Sequence, residues 1–271
     1  MSLPLVSAAW VFIASAALAK PAGQVLQAYI SAGTAIRLRW IPPGSFTMGS
    51  PTGEMGRGAN EGQVPVTLTH GFYLAETELT QAQWLLVATG NPSAFQGDHL
   101  PVETITWADA KRFCDSLNQQ QRETRLLPKG YRWDLPTEAQ WEYACRAGTT
   151  GALHHGIELR TTDGRCANLN QVAWYQDNAQ GQTRPAGGKK ANRWGLRDMH
   201  GNVWEWCRDS YTDKHPGGTD PWISQGADHV RRGGSAGYQA RTCRAASRDG
   251  LAPAAKGNGL GMRLALVPTG S

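Results

Sequence analysis

The chain has 271 residues, with 32 Gly, 15 Pro, 11 Trp and a formal charge of +5. A chain of that length can bury a core without metals or disulfides, and so many turn formers and flat indole rings describe one loop-rich domain rather than two regular ones. Lys and Arg are scattered, with no basic run longer than Lys189-Lys190 or Arg231-Arg232, which excludes the extended basic face that nucleic acid needs.

In chain order, Met1 to Ala19 is apolar and closes on Ala17-Leu18-Ala19, a small-x-small pattern of the kind at which export signals are cleaved. Only the terminal amine supplies positive charge, and a run of about 18 residues could also anchor in a bilayer; the cleavage pattern favours export to the periplasm or the extracellular space. No other stretch is apolar enough to span, so no stable membrane insertion of the mature domain is predicted. Residues 20–35 read as a linker and 36–268 as the domain.

Residues 36–41 alternate apolar and polar like a strand, and Pro42-Pro43-Gly44 breaks the run before Ser45-Phe46-Thr47-Met48-Gly49. Val64 to Leu68 alternates again and Gly71-Phe72-Tyr73-Leu74 follows, so the opening reads as paired strands. Helix entry is then signalled by Thr80-x-x-Gln83, Thr106-x-x-Asp109 and Thr137-x-x-Gln140, each a hydroxyl three residues before a polar side chain able to reach back. Trp84 and Val87 share a face of the first helix; Trp107, Ala110, Cys114 and Leu117 stripe the second; Trp141, Ala144 and Cys145 mark the third, which should stop near Gly148. From Gly151 to Pro268 the chain reads as short strands punctuated by Gly, Pro, Asn and Asp. The fold class is α+β, a single irregular domain with little regular secondary structure, and so long an irregular half implies function or bound ions.

The five cysteines, Cys114, Cys145, Cys166, Cys207 and Cys243, cannot all pair within one chain, and no two have metal-knuckle spacing. Export would allow one or two disulfides. Cys114 and Cys207 sit in apolar contexts, as buried thiols do. Trp204, Trp206, Met199 and Met262 read as core. His99, His200, His215 and His229 fall in loops with no acid at an informative spacing.

Five motifs occur in order: 41–50, Leu135-Pro136-Thr137 through Trp141-Glu142-Tyr143-Ala144, Trp194-Gly195-Leu196 through Trp204-Glu205-Trp206, Arg232-Gly233-Gly234-Ser235, and Leu260-Gly261-Met262-Arg263. Together, from Trp40 to Val267, they resemble the formylglycine-generating-enzyme (sulfatase-modifying-factor) family. The resemblance implies a C-type-lectin-related domain that holds calcium. For an enzyme it also implies copper held by two cysteines soon after Arg-Gly-Gly-Ser, since paired soft thiolates suit Cu(I). Here Ala236, Gly237, Tyr238, Gln239, Ala240, Arg241 and Thr242 precede one thiol, Cys243. The first family cysteine is replaced near Tyr238 and the second has no counterpart. Cys243 matches a later family cysteine that is disulfide-bonded to the one in the Trp-Glu-Tyr helix, here Cys145. Copper is therefore not expected. An iron-dependent branch of the fold, which joins sulfur to histidine derivatives, needs a histidine cluster that the adjacent His154-His155 do not provide.

By the same resemblance, calcium would take the carboxylates of Asp198 and Glu205 and the main-chain carbonyls of Gly201 and Val203, hard oxygens of the kind it prefers. The competing reading is that Asp198 caps a turn and Glu205 pairs with an arginine. A second calcium site would use Asn168 and Leu169, with further ligands near Asp177 to Gln180. The segment Ala236 to Gly257 carries Tyr238, Gln239, Arg241, Arg244, Ser247, Arg248 and Lys256. In the enzymes it resembles, this region forms the substrate groove; in the variable proteins of diversity-generating retroelements it is a ligand-binding surface. Tyrosine and arginine are favoured contact residues, and loops on a rigid scaffold carry binding. The sequence thus predicts a non-catalytic, exported binding or accessory protein whose groove engages a protein or peptide ligand, with calcium bracing the loops. The alternative is a sulfatase-modifying-type oxidoreductase acting on a cysteine-containing peptide.

Overall fold

Alternating side chains build the main sheet, as strand β2 (Thr34–Ile41) illustrates: Ile36 and Leu38 are buried, while Arg37 and Arg39 turn the other way and share the carboxylate of Glu76. In the computed structural model, which describes residues 20–31, 34–160 and 166–270, this sheet runs β1 (Val25–Ser31), β2, β5 (Phe72–Ala75), β14 (Ala265–Pro268), β6 (Tyr131–Asp134), and its neighbours are antiparallel. The stretch expected as a linker is therefore part of the domain. Leu26, Ala28 and Ile30 face inward and Val25, Gln27 and Tyr29 outward, a period-two pattern that reads as a strand. The export-signal reading falls on residues 1–19, outside the described residues; among those described, no helix is long and apolar enough to cross a membrane.

All three expected helix entries form. Thr80, Thr106 and Thr137 each accept from the backbone three residues on, and the side chains of Gln83, Asp109 and Gln140 return the bond. Helix α1 (Gln81–Trp84) is a single turn. Helix α2 (Trp107–Glu123) lays Ala110, Phe113, Cys114 and Leu117 into the core beside the main sheet. Helix α3 (Glu138–Arg146) is buried on almost every side and stops at Ala147, whose φ of 45° is left-handed, just before Gly148. A short turn of helix, α4 (Gln176–Ala179), lies in the second half.

The remaining strands are short. They pair as β10 (Gly218–Thr219), β4 (Val64–Leu68) and β3 (Gly44–Met48); as β12 (Arg248–Leu251), β11 (His229–Arg232), β9 (Trp204–Ser210) and β13 (Leu260–Gly261); and as β7 (Ala173–Trp174) with β8 (His200–Gly201). Regular hydrogen bonding is too sparse to hold this half, and buried ion pairs supplement it. Glu142 takes Arg146 and Arg232; Glu138 takes Arg248 at 2.7 Å; Arg244 reaches Glu54 and Glu61, each at 2.6 Å. Burial alone would push the Glu142 carboxyl up, but the guanidinium groups of Arg146 and Arg232 outweigh it and bring it down to about 2.

No disulfide ties these segments. All five cysteines are free and buried, which corrects the pairing of Cys145 with Cys243. The imidazole of His200 lies between them, its Nε2 3.8 Å from the Cys145 sulfur and its Nδ1 2.6 Å from the Cys243 carbonyl. His200 and His229 belong to strands, not loops. His215, also placed without a partner acid, has Nδ1 4.0 Å from Glu138.

Candidate binding cleft

A cleft of about 270 Å³ opens over the four-stranded sheet. Trp204 from β9 gives the floor and Arg231 from β11 lies over it, guanidinium carbon 4.7 Å from the ring centre. Arg231 sits opposite Asp249 of β12 and bonds it through Nε at 3.1 Å and Nη2 at 2.5 Å, so its orientation is set by the strand pairing. The Tyr238 ring meets Trp204 edge-on, at 5.8 Å and 89°, and is 42% exposed. Leu251 and the loop carrying Lys256, Asn258 and Gly259 complete the wall.

Of the residues expected in a groove, Tyr238 and Lys256 line this cleft. Gln239 and Arg241 are exposed on the adjoining turn but do not line it. Arg244, Ser247 and Arg248 are corrected: they are 1%, 7% and 5% exposed. Arg244 is consumed by Glu54, Glu61 and the Gly56 carbonyl, and Arg248 by Glu138 and the Thr212 carbonyl. The Ser247 carbonyl accepts from Arg232. Trp204, assigned to the core, is buried yet floors the cleft, and Arg231 escaped the sequence reading altogether. The signal for Arg231 was alternation: in a strand, one of Arg231-Arg232 must face in and the other out.

The lining contains no cysteine. Burial pushes the Cys114 thiol far above its ordinary value and those of Cys145 and Cys243 up to about 12. Cys243 is 0% exposed and packs with Cys166, Leu169 and Tyr175 in a separate apolar cluster. The pair of thiolates that would grip Cu(I) does not exist at this cleft.

The calcium set does come together on one bend. Asp198 and Asn202 have left-handed φ of 53° and 59°, and Gly201, at 80°, has no room for a side chain, since a Cβ there would lie 2.0 Å from the Trp174 carbonyl. But Glu205 is already engaged: Arg263 bonds both its oxygens at 2.8 to 3.1 Å and Trp141 Nε1 adds 2.6 Å. Asp198 accepts the amides of Gly187 and Lys189. Both carboxylates thus have protein donors, as the turn-cap and arginine-pair reading expects. Glu78, which the sequence did not single out, is 0% exposed with neither oxygen bonded; burial first, then Asp198 and Glu205 nearby, hold its carboxyl well above the usual range. Glu205, Glu78 and Asp198 all act on the Arg263 guanidinium, but among the described residues no group of three acidic, histidine or cysteine side chains is arranged to hold a metal ion. At the second set, Leu169 is wholly buried and Asn168 uses its side-chain amide on the Glu158 carbonyl and the Arg160 amide.

Residues 32–267 match the sulfatase-modifying factor enzyme 1-like domain, and the chain belongs to that family. It is 33% identical over 195 residues to the chaperone protein LppX of Paenibacillus barcinonensis, an alignment covering 56% of this chain and 65% of that one. Among solved structures it resembles Treponema denticola variable protein 1, with 26% identity and a TM-score of 0.76 over 90% of this chain and 99% of that one. PvdO from Pseudomonas aeruginosa gives 25% identity and a TM-score of 0.77 over 92% of this chain and 100% of that one. The chain spans less than two thirds of the length of the curated relatives it matches. The expected fold is thus confirmed: an irregular, formylglycine-generating-enzyme-like domain of the C-type-lectin-related type.

Proposed function

We propose that the protein is a non-catalytic binding or accessory protein whose C-terminal cleft takes a protein or peptide partner. The observation that carries this reading is the lining: an aromatic floor and wall, two cations and main chain, with no thiol and every cysteine buried. Such a surface holds a ligand and offers no thiol, neither as a nucleophile nor as a soft metal ligand, to transform it. The likeness to a protein named a chaperone and to one named a variable protein supports it. Export, to the periplasm or beyond, is part of the proposal; the mass of the chain recovered from that compartment tests it, with cleavage after Ala19 as the expected result. Calcium also belongs to the proposal as a structural ion at the bend of Asp198, Gly201, Val203 and Glu205, and the unbonded Glu78 carboxyl buried nearby supports it.

The test of binding is selection of peptides on the immobilised full chain. A selected peptide should lose about tenfold in affinity on Tyr238→Ala and on Lys256→Ala, as contacts at a small aromatic-centred site do. Unchanged affinity in both variants would show that the cleft is not the site. The second reading, an oxidoreductase acting on a cysteine-containing peptide, draws on family membership and lacks the thiol pair it needs.

A further inference from the structure

Resting on the binding reading, the chemistry of the cleft specifies what its occupant carries. No aspartate or glutamate lines it. Lys256 is exposed and has no ion pair among the described residues, whereas Arg231 is neutralised by Asp249. The floor residue Trp204 is 2% exposed and its indole Nε1 has no acceptor. A buried N–H left unbonded is a standing penalty that an oxygen from outside would remove. The lysine charge calls for an anion and the indole N–H for an acceptor, and one anionic oxygen meets both beside the apolar surfaces of Tyr238, Leu251 and Leu260.

We infer that the cleft takes a carboxylate borne by an apolar peptide: a free C-terminus, or an acidic side chain beside an aliphatic or aromatic residue. The carboxylate lies between the Lys256 ammonium and the Trp204 indole, and the apolar group rests on Tyr238 and Leu251. A volume of about 270 Å³ is at the small end for ligand sites and suits one or two residues rather than a long segment. On this proposal Tyr238, 42% exposed and edge-on to Trp204, has to turn aside to admit the oxygen.

The experiment is an NMR titration of the full chain carrying ¹⁵N-labelled tryptophan, with four probes: acetyl-Ala-Leu as free acid and as carboxamide, and acetyl-Glu-Leu-amide with its acetyl-Gln-Leu-amide control. At least one acid should bind about tenfold more tightly than its amide, as a hydrogen bond to a charged group warrants. It should shift one indole signal downfield, the signal missing in Trp204→Phe, and weaken with added salt and in Lys256→Gln, a surface change that leaves folding alone. Whichever acid wins identifies the source of the carboxylate. Equal binding of acid and amide, still lost on Tyr238→Ala, would overturn the carboxylate and leave the binding cleft standing. If none of the four binds while display-selected peptides do, the carboxylate is also wrong; if those too ignore the cleft, the binding reading itself has failed.

Discussion

Glu205 stands in the middle of the Trp204-Glu205-Trp206 motif, yet its job is set by Arg263, 58 positions away along the chain. Spacing within a motif cannot reveal a partner that only folding brings near, which is why the carboxylate reads as a calcium ligand in sequence and as half of a buried ion pair in structure. Arg263→Met leaves that charge buried and unpaired, so it should cost about 3–5 kcal/mol in urea unfolding; a loss below about 1 kcal/mol would mean the pair is dispensable. Asp209 has the opposite problem. Burial, and then the neighbouring Glu138, push its carboxyl from 3.8 up to about 7, although the amides of Glu138 and Ile223 bond it. Because the folded value is raised, its contribution to stability is complete below its ordinary value and is lost as pH rises through about 7. Unfolding free energies measured across that window should therefore decline for the native chain and decline less for Asp209→Asn. Parallel slopes would contradict the assignment. Glu142, held down to about 2, acts at the other end, losing its share as pH falls below 4.5.

Elements were legible in proportion to how local their cause is. The three capping boxes are written in four-residue windows and all three form. Thr137→Ala should cost about 1 kcal/mol and lower the melting temperature, whereas an unchanged melt would show that burial alone sets α3. The two-residue strands β7, β8, β10 and β13 have no such window, since their pairing depends on partners far along the chain. Strand β1 is a different case: its alternation was present but lay after the apolar stretch of residues 1–19 and before the first motif. Ile30 is 1% exposed within the main core, so Ile30→Ala should destabilise by about 2–5 kcal/mol. If calorimetry showed no change, residues 25–31 would be a tether after all.

At the scale of the molecule, the family scaffold was readable because its motifs are dense and ordered, while the cleft was half readable. Tyr238 came from the motif that precedes it; Trp204 and Arg231 join it only through the β9–β11 pairing. The buried charge around Glu78 was not readable at all, and it makes a whole-molecule prediction. Millimolar calcium should raise the melting temperature of the native chain. Glu78→Gln, which removes an unpaired buried carboxylate, should melt higher than the native chain without calcium and no longer respond to it. An identical calcium response in the variant would remove Glu78 from the cation site.

On the proposed function, this domain keeps its family's scaffold and uses the cleft for holding rather than for oxidation. Oxygen uptake by the copper-supplemented protein with a cysteine-containing peptide, followed by mass analysis of the peptide, tests that most directly. The peptide should come back with its thiol intact and no oxygen consumed; conversion of the thiol carbon to an aldehyde with matching oxygen uptake would contradict it.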